Sequence, residues 1–267
     1  MVQKTLLGVV GNPVKHSMSP LIHNAWLKEN AIDGEYGLVC VENQEKLEEE
    51  FLSLEKQGYT GINVTLPYKN EIFKIAQKHG FEISPEALEM EAVNTINFKT
   101  KEALNTDVYG IRQMLKVKED TQMLIIGAGG AAAAVVYAFS GANITIANRT
   151  PEKAQALAEK FWCDCYTGDL QKLHLGDFDI IVNATSLGLN GEDLPLNYNT
   201  LRRQTKCVDL IYNPKMTPFL EQAKKRGCEI INGFAMLIGQ AQRAFKNWTN
   251  VNPRPETAKK IMRDFIL

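Results

Sequence analysis

Two stretches of this chain carry residues suited to binding a dinucleotide. Residues 123–134 read MLIIGAGGAAAA, which sets Gly127, Ala128, Gly129, Gly130, Ala131 and Ala132 in a G-x-G-x-x-A pattern where an apolar strand meets a helix. Glycine there permits a tight turn and a close backbone approach, and a helix N-terminus turns free N–H groups and its positive dipole end toward a pyrophosphate. A Gly/Ala-rich helix packed against a sheet has the same composition, so the preceding strand is what favours the nucleotide. About 20 residues on, where an NAD enzyme places Asp or Glu against the ribose 2′-hydroxyl, the sequence has Asn148, Arg149 and Thr150, with Lys153 one turn later. A carboxylate repels a 2′-phosphate, whereas a planar guanidinium pairs with it and stacks on adenine. The pattern predicts NADP. Thr150 and Pro151 also read as the N-cap and first residue of a helix, which is compatible with that role.

A third stretch, GINVTLPYK at 61–69, is β-rich, stops at Pro67 and ends on Lys69. By itself it leaves two readings open: a solvated loop charge, or a proton carrier at the mouth of a site. Other reactive residues read as bland. Ser17 has no adjacent base and acid to complete a triad. His16 and His23 are separated by Ser19-Pro20, which interrupts a shared helix, so His23 reads as a packing or capping residue and no metal site is expected. Cys163-x-Cys165 lacks a second ligand pair and reads as part of a strand. KLEEEF at 46–51 reads as a solvated helix face.

The elements that must position these residues alternate. Thr5 to Val10 is an apolar strand closed by Gly11-Asn12-Pro13, and Ser19 reads as an N-cap with Pro20 opening a helix. Tyr36 to Val41 is a second strand. Asn43 caps an amphipathic stretch with Leu47, Phe51 and Leu54, Gly58 ends it, and Thr60 to Val64 is a third strand. A hairpin-like segment covers Val93 to Leu104, and a helix over Asp107 to Leu115 connects it to a second half. There strands at Met123 to Ile126, Ile144 to Ala147, Asp179 to Val182, Lys206 to Leu210 and Glu229 to Ile231 alternate with helices, including those from Ala131 and after Pro151. The tail from Phe234 is helical with one break at Pro253 and Pro255. Strands alternating with helices imply an α/β fold with largely parallel sheets.

Composition excludes several classes. The 267 residues suit two domains of moderate size, and 45% hydrophobic, 23% charged and 8% aromatic content is ordinary for a globular chain. A net charge of −1, without a basic stripe, argues against nucleic acid. The odd number of scattered cysteines, five in all, suggests a reducing compartment. With no signal-peptide pattern at the N-terminus and no membrane-length apolar run, a cytoplasmic protein is expected.

Taken together the motifs resemble the shikimate dehydrogenase family. GNPVKHSMSPLIHN at 11–24, GINVTLPYK at 61–69, AVNTI at 92–96, NTDVYG at 105–110, NATSLGL at 183–189, DLIYNPKMTPFL at 209–220 and GFAMLIGQA at 233–241 follow the family's motifs in order, across nearly the whole chain. The resemblance implies a reversible NADPH-dependent reduction of 3-dehydroshikimate to shikimate, a step of aromatic amino-acid biosynthesis. It also implies two α/β domains: a substrate domain of residues 1–105 plus 235–267, and a Rossmann-type NADP domain of residues 106–234, with a cleft between them. A monomer or homodimer, with no nucleic-acid or membrane partner, is expected.

Carried over by motif, the resemblance assigns the substrate carboxylate to Ser17 and Ser19 with Tyr212 nearby, and the ring hydroxyls to Asn63, Thr65, Asn94, Asp107 and Gln240. Lys69 and Asp107 form the implied catalytic pair. Ala184, Thr185, Ser186, Ile211, Gly233 and Met236 join Gly127 to Ala131, Asn148 to Thr150 and Lys153 around NADP. Reduction of a ketone leaves an alkoxide that needs a proton donor, and an ionised Asp107 beside Lys69 favours an ammonium able to supply it. The sequence departs from the family pattern in three places. Glu91 and Ala103 stand where glycine is usual, and Ala133 stands where arginine is frequent. Of the competing expectations, a quinate/shikimate enzyme with broader cofactor use is disfavoured by Arg149 and the intact Ser17/Ser19 motif. A catalytically silent NADP sensor is disfavoured by the retention of both Lys69 and Asp107.

Overall fold

The computed structural model describes residues 4–266. They form two compact units, one made of the chain up to Gly110 together with Ile238–Phe265, the other of Ile111–Leu237.

The first unit runs β1 (Thr5–Gly11), α1 (Ser19–Glu29), β2 (Gly34–Cys40), α2 (Leu47–Lys56), β3 (Tyr59–Val64), α3 (Lys69–Lys78), β4 (Glu82–Ile83), α4 (Pro85–Met90), β5 (Thr95–Asn97) and β6 (Glu102–Leu104). Its sheet has the order β2-β1-β3-β5-β6-β4. β1 pairs in parallel with β2 and β3, while β5 pairs antiparallel with β3 and with β6, which is the expected hairpin. Strand β3 is buried along nearly its whole length, as a strand covered on both faces must be. On α2, Leu47, Phe51 and Leu54 face inward and Glu48, Glu49 and Glu50 sit in the first turn, where their charge suits the helix dipole.

α5 (Asp107–Met114) leads out of this unit, and α9 (Phe234–Thr249) and α10 (Pro255–Ile266) close the chain. Trp248 of α9 donates its indole N–H to the Ile96 carbonyl at 2.8 Å, directly over Gly61. A Cβ at Gly61 would lie 2.1 Å from Trp248 Nε1. The glycine that opens GINVT is therefore what lets a helix from the far end of the chain lie on the first sheet.

The second unit runs β7 (Gln122–Ile126), α6 (Gly130–Ala138), β8 (Asn143–Ala147), α7 (Pro151–Phe161), β9 (Asp164–Tyr166), β10 (Ile180–Asn183), β11 (Lys206–Asp209), α8 (Pro218–Lys225) and β12 (Glu229–Ile231). All its strands are parallel, in the order β12-β11-β10-β7-β8-β9. That is the doubly wound Rossmann order, in which the winding reverses between the first and fourth strands, here β7 and β10, and ligands bind outside their carboxyl ends.

Several local expectations change. Ser19 is the first residue of α1 and not its cap: the cap position belongs to Met18, which makes no side-chain cap bond, and the Ser19 N–H donates to Ser17 Oγ at 3.3 Å. Asn43 caps a short 3-10 turn before α2, accepting from the Glu45 N–H. Cys165 lies in β9, with Cys163 just before it.

Glu91 ends α4 in the left-handed region, with φ 51° and ψ 38°, and its side chain is exposed. The backbone there favours the glycine usual in the family, since an L side chain in this region costs about 1–2 kcal/mol. Glu91→Gly is expected to raise stability by about 0.5–1 kcal/mol, the extra freedom of unfolded glycine offsetting part of the gain. Urea denaturation at pH 7 measures it, and a loss of stability would mean that the side chain's own contacts outweigh the backbone cost.

Candidate active site

In the first unit, polar side chains gather at the end of β3 and at the starts of α3 and α5. Lys69 is not on a loop but opens α3, and Asp107 opens α5. Lys69 Nζ lies 2.5 Å from Asp107 Oδ2. Both charges are largely enclosed, the lysine side chain being 23% exposed and the aspartate 10%. The other carboxylate oxygen, Asp107 Oδ1, accepts from Asn94 Nδ2 at 2.9 Å. Asn94 is fixed in turn, because its Oδ1 accepts from the Thr106 N–H at 2.7 Å and the Thr95 hydroxyl at 2.9 Å. The Asp107 N–H donates to Asn105 Oδ1 at 3.1 Å. A carboxylate held at both oxygens is the firm reference that an ammonium needs to keep one direction.

Asn63, two residues before Thr65 on the same strand end, spends both amide hydrogens internally, on the Asn94 carbonyl at 3.2 Å and on Thr95 Oγ1 at 3.0 Å. Its Oδ1 accepts from the Tyr36 hydroxyl at 2.7 Å, which leaves one lone pair. The Ser19 hydroxyl lies beside the same phenol. Burial holds the Tyr36 phenol well above its usual titration range, with Ser19 offsetting part of the effect. Gly11 ends β1 here for a steric reason, since a Cβ would lie 2.4 Å from Thr65 Cγ2. Gln240 is buried on α9.

In the second unit a cavity of about 360 Å³ opens at the carboxyl ends of β7 and β10, at the winding reversal. Gly127, Ala128 and Gly129 line it from the turn before α6, Asn148, Arg149, Thr150 and Lys153 from the end of β8 and the start of α7, and Ala184, Thr185 and Ser186 from the loop after β10. Gly127 has φ 118°, and a Cβ there would meet the Ala184 carbonyl at 3.0 Å. A Cβ on Gly129 or Gly130 would meet no protein atom within 4 Å, so the space their small size leaves is open to a ligand. Arg149 is exposed, and neither it nor Lys153 has a carboxylate partner among the described residues. Open backbone N–H groups beside two cations fit a dinucleotide with an additional phosphate.

The loop after β10 is anchored by a buried carboxylate that no local sequence signal marks. Asp209, fully buried at the end of β11, accepts from Asn183 Nδ2 at 3.1 Å, the Ile211 N–H at 2.9 Å and the Thr217 hydroxyl at 2.6 Å. Burial pushes its carboxyl above the usual range, and these donors offset part of that. Asn183 Oδ1 then accepts from the Thr185 N–H at 3.0 Å and its hydroxyl at 2.7 Å, fixing Thr185 at the cavity wall.

Gly130, Ala131, Ile211, Gly233 and Met236 do not line this cavity. Ile211 is buried and its carbonyl accepts from the Gly233 N–H at 3.0 Å, where a Cβ would lie 1.9 Å from the Leu210 oxygen. Tyr212 is half-buried in the second unit, with its phenol raised by burial. Leu170, Leu187, Leu194 and Pro195 complete the cavity wall. No periodic or glycine signal marked them. Among the described residues no cluster of three metal-ligating side chains occurs, and no helix is long and apolar enough to cross a membrane.

A Rossmann sheet with a cavity of about 360 Å³ at its winding reversal, in a chain whose other unit holds a paired ammonium and carboxylate, defines a nucleotide-dependent dehydrogenase of the two-domain α/β class. Residues 9–96 match the shikimate dehydrogenase substrate binding domain, and residues 111–190 match the shikimate / quinate 5-dehydrogenase family. A shikimate dehydrogenase (NADP(+)) of Exiguobacterium sp. is 34% identical over 264 residues, covering 97% of this chain and 98% of that one. The crystal structure of shikimate dehydrogenase from Aquifex aeolicus superposes with a TM-score of 0.90 at 34% identity, covering 99% of each chain. The Thermus thermophilus shikimate 5-dehydrogenase in complex with NADP(H) and shikimate gives a TM-score of 0.87 at 33% identity, covering 97% of this chain and 99% of that one. The chain belongs to the shikimate dehydrogenase family.

Proposed function

We propose that this protein catalyses the reversible NADPH-dependent reduction of 3-dehydroshikimate to shikimate, a step of aromatic amino-acid biosynthesis. The observation that carries the reading is the 2.5 Å contact of Lys69 with an Asp107 whose second oxygen is held by Asn94. NADPH, when bound, would supply the hydride for the ketone carbon. Lys69 donates a proton to the oxygen that becomes the alcohol and takes one back in the reverse direction. Asp107 directs Lys69, and Asn94 fixes Asp107. Ser17 and Ser19 bind the carboxylate of the acid, while Asn63, Thr65 and Gln240 bind its hydroxyls and Tyr212 assists. A site that hydrogen-bonds each hydroxyl rejects analogues that leave its groups unpaired.

The domain assignment is part of the proposal: residues 1–105 with 235–267 bind the acid, and residues 106–234 bind NADP. Gly130, Ala131, Ile211, Gly233 and Met236 contact the cofactor alongside the cavity residues. A silent sensor would need the nucleotide cavity but no held ammonium–carboxylate pair.

The test is shikimate-dependent reduction of NADP followed at 340 nm, with quinate alongside. Turnover of neither acid would sink the reading, and preference for quinate would move the protein to the neighbouring activity. Arg149→Ala is expected to raise KM for NADP by about 10–100-fold with little effect on NAD, the worth of a charge-assisted contact to the 2′-phosphate. Equal losses with both cofactors would remove Arg149 from phosphate recognition.

A further inference from the structure

The motif at residues 11–24 contains two residues, His23 and Asn24, that the proposed chemistry does not use. Both meet one residue, Tyr36 of β2, Asn24 at its backbone and His23 at its ring. The Tyr36 N–H donates to Asn24 Oδ1 at 2.8 Å, and Asn24 Nδ2 donates to the Tyr36 carbonyl at 2.9 Å, so this backbone position is clamped from both sides. The His23 ring stacks on the Tyr36 ring, with centroids 4.3 Å apart and planes 4° from parallel. Ser19, one turn before His23 on α1, places its hydroxyl at the Tyr36 phenol, which itself donates to Asn63 Oδ1 at 2.7 Å. Three residues of one helix thus hold a tyrosine whose hydroxyl joins Ser19 to Asn63. Tyr36 is 3% exposed, so its hydroxyl meets protein groups on both sides.

We infer that Tyr36 is a positioning residue for substrate recognition: held at its backbone by Asn24 and at its ring by His23, it sets with its hydroxyl the orientation of Ser19 and Asn63 together. This rests on the reading of Ser19 and Asn63 as substrate-binding residues. Asn63 has committed both amide hydrogens and one lone pair, so its remaining lone pair is fixed as an acceptor for a substrate hydroxyl. Ser19, with Tyr36 beside it, turns between few positions before it donates to a carboxylate. One phenol therefore preorganises both ends of a small hydroxylated acid, and preorganisation reduces the ordering that binding must otherwise supply.

Tyr36→Phe keeps the ring on His23 and removes only the bridge. KM for shikimate is expected to rise about 10-fold, with kcat within about threefold and KM for NADP within about twofold. In a Ser19→Ala background the same substitution should raise KM by a clearly smaller factor, since coupled residues are non-additive. A shift in melting temperature with KM for shikimate unchanged would leave Tyr36 as a packing residue and overturn the inference, as would full additivity with Ser19→Ala. Wild-type protein that does not turn over shikimate would overturn the functional reading and this inference with it. Active wild type with an unaffected Tyr36→Phe variant would overturn this inference alone.

Discussion

Lys69→Ala is expected to lower kcat by about 10²–10⁴-fold, the range typical of a lost general acid, with a much smaller rise in KM for shikimate. The alkoxide formed by ketone reduction needs a proton at the moment it forms, and within the polar cluster Lys69 is the cation held in a fixed direction by a carboxylate at 2.5 Å. Asp107 cannot take over, because an ionised carboxylate accepts and does not donate. Removing the ammonium also leaves Asp107 beside the developing negative charge, which deepens the loss in the transition state more than in the ground state. Lys69→Arg separates the two contributions. A guanidinium keeps the positive charge but does not deprotonate, so it should restore part of the electrostatic stabilisation and little of the proton transfer. Steady-state kinetics in both directions decide this, and a Lys69→Ala enzyme with wild-type kcat would exclude the role.

The sequence alone made the nucleotide half of the site legible, because its signals are local. Gly127 needs its positive φ within a turn, and Arg149 follows its own strand by two residues. The other half is legible only in part. Helix α3 has an inward face of Ile72, Phe73, Ile75 and Ala76, yet it starts at Lys69 without a side-chain cap from Tyr68. A basic residue at a helix N-terminus runs against the dipole preference, so the usual start signal is missing at the very position where the lysine must face Asp107. Ser19 misled in the opposite sense, since a serine before Pro20 reads as a cap while the observed acceptor is Ser17. Tyr36 was out of reach for a topological reason. β1 lies between β2 and β3, pairing Leu7 with both Tyr36 and Gly61 and Val9 with Asn63, so the phenol's approach to Asn63 depends on registers no single stretch specifies. Asp209 is similar: its partners Asn183 and Thr217 come from a neighbouring strand end and a following helix.

The second large effect concerns acid. His23 is fully buried, neither ring nitrogen has a hydrogen-bond partner, and burial brings its pKa down to about 3 from an ordinary 6.5. The ring faces Tyr36, Trp26, Phe245 and Trp248, none of which gains or loses a proton in that interval. In the folded protein His23 therefore stays neutral, while in the unfolded chain it binds a proton below 6.5. The unfolded state then holds more protons, so stability falls as pH drops from 6.5 toward 3 and is fully present only above 6.5. The total is on the order of 5 kcal/mol at 1.36 kcal/mol per pKa unit, and about half or more of it is lost by pH 4. Other groups titrate in acid as well. Glu192, brought down to about 2 by backbone N–H donors, loses its contribution only below the ordinary carboxylate range, and Asp209, raised by burial, acts in the opposite sense. The decisive quantity is accordingly a difference: urea unfolding of wild type and His23→Phe at pH 7, 5.5 and 4. Phenylalanine keeps an aromatic ring against Tyr36 and has no proton to bind, so the variant should gain on the wild type steadily as pH falls. A difference that stays constant across the three pH values would show that His23 is not the acid-sensitive element of this fold.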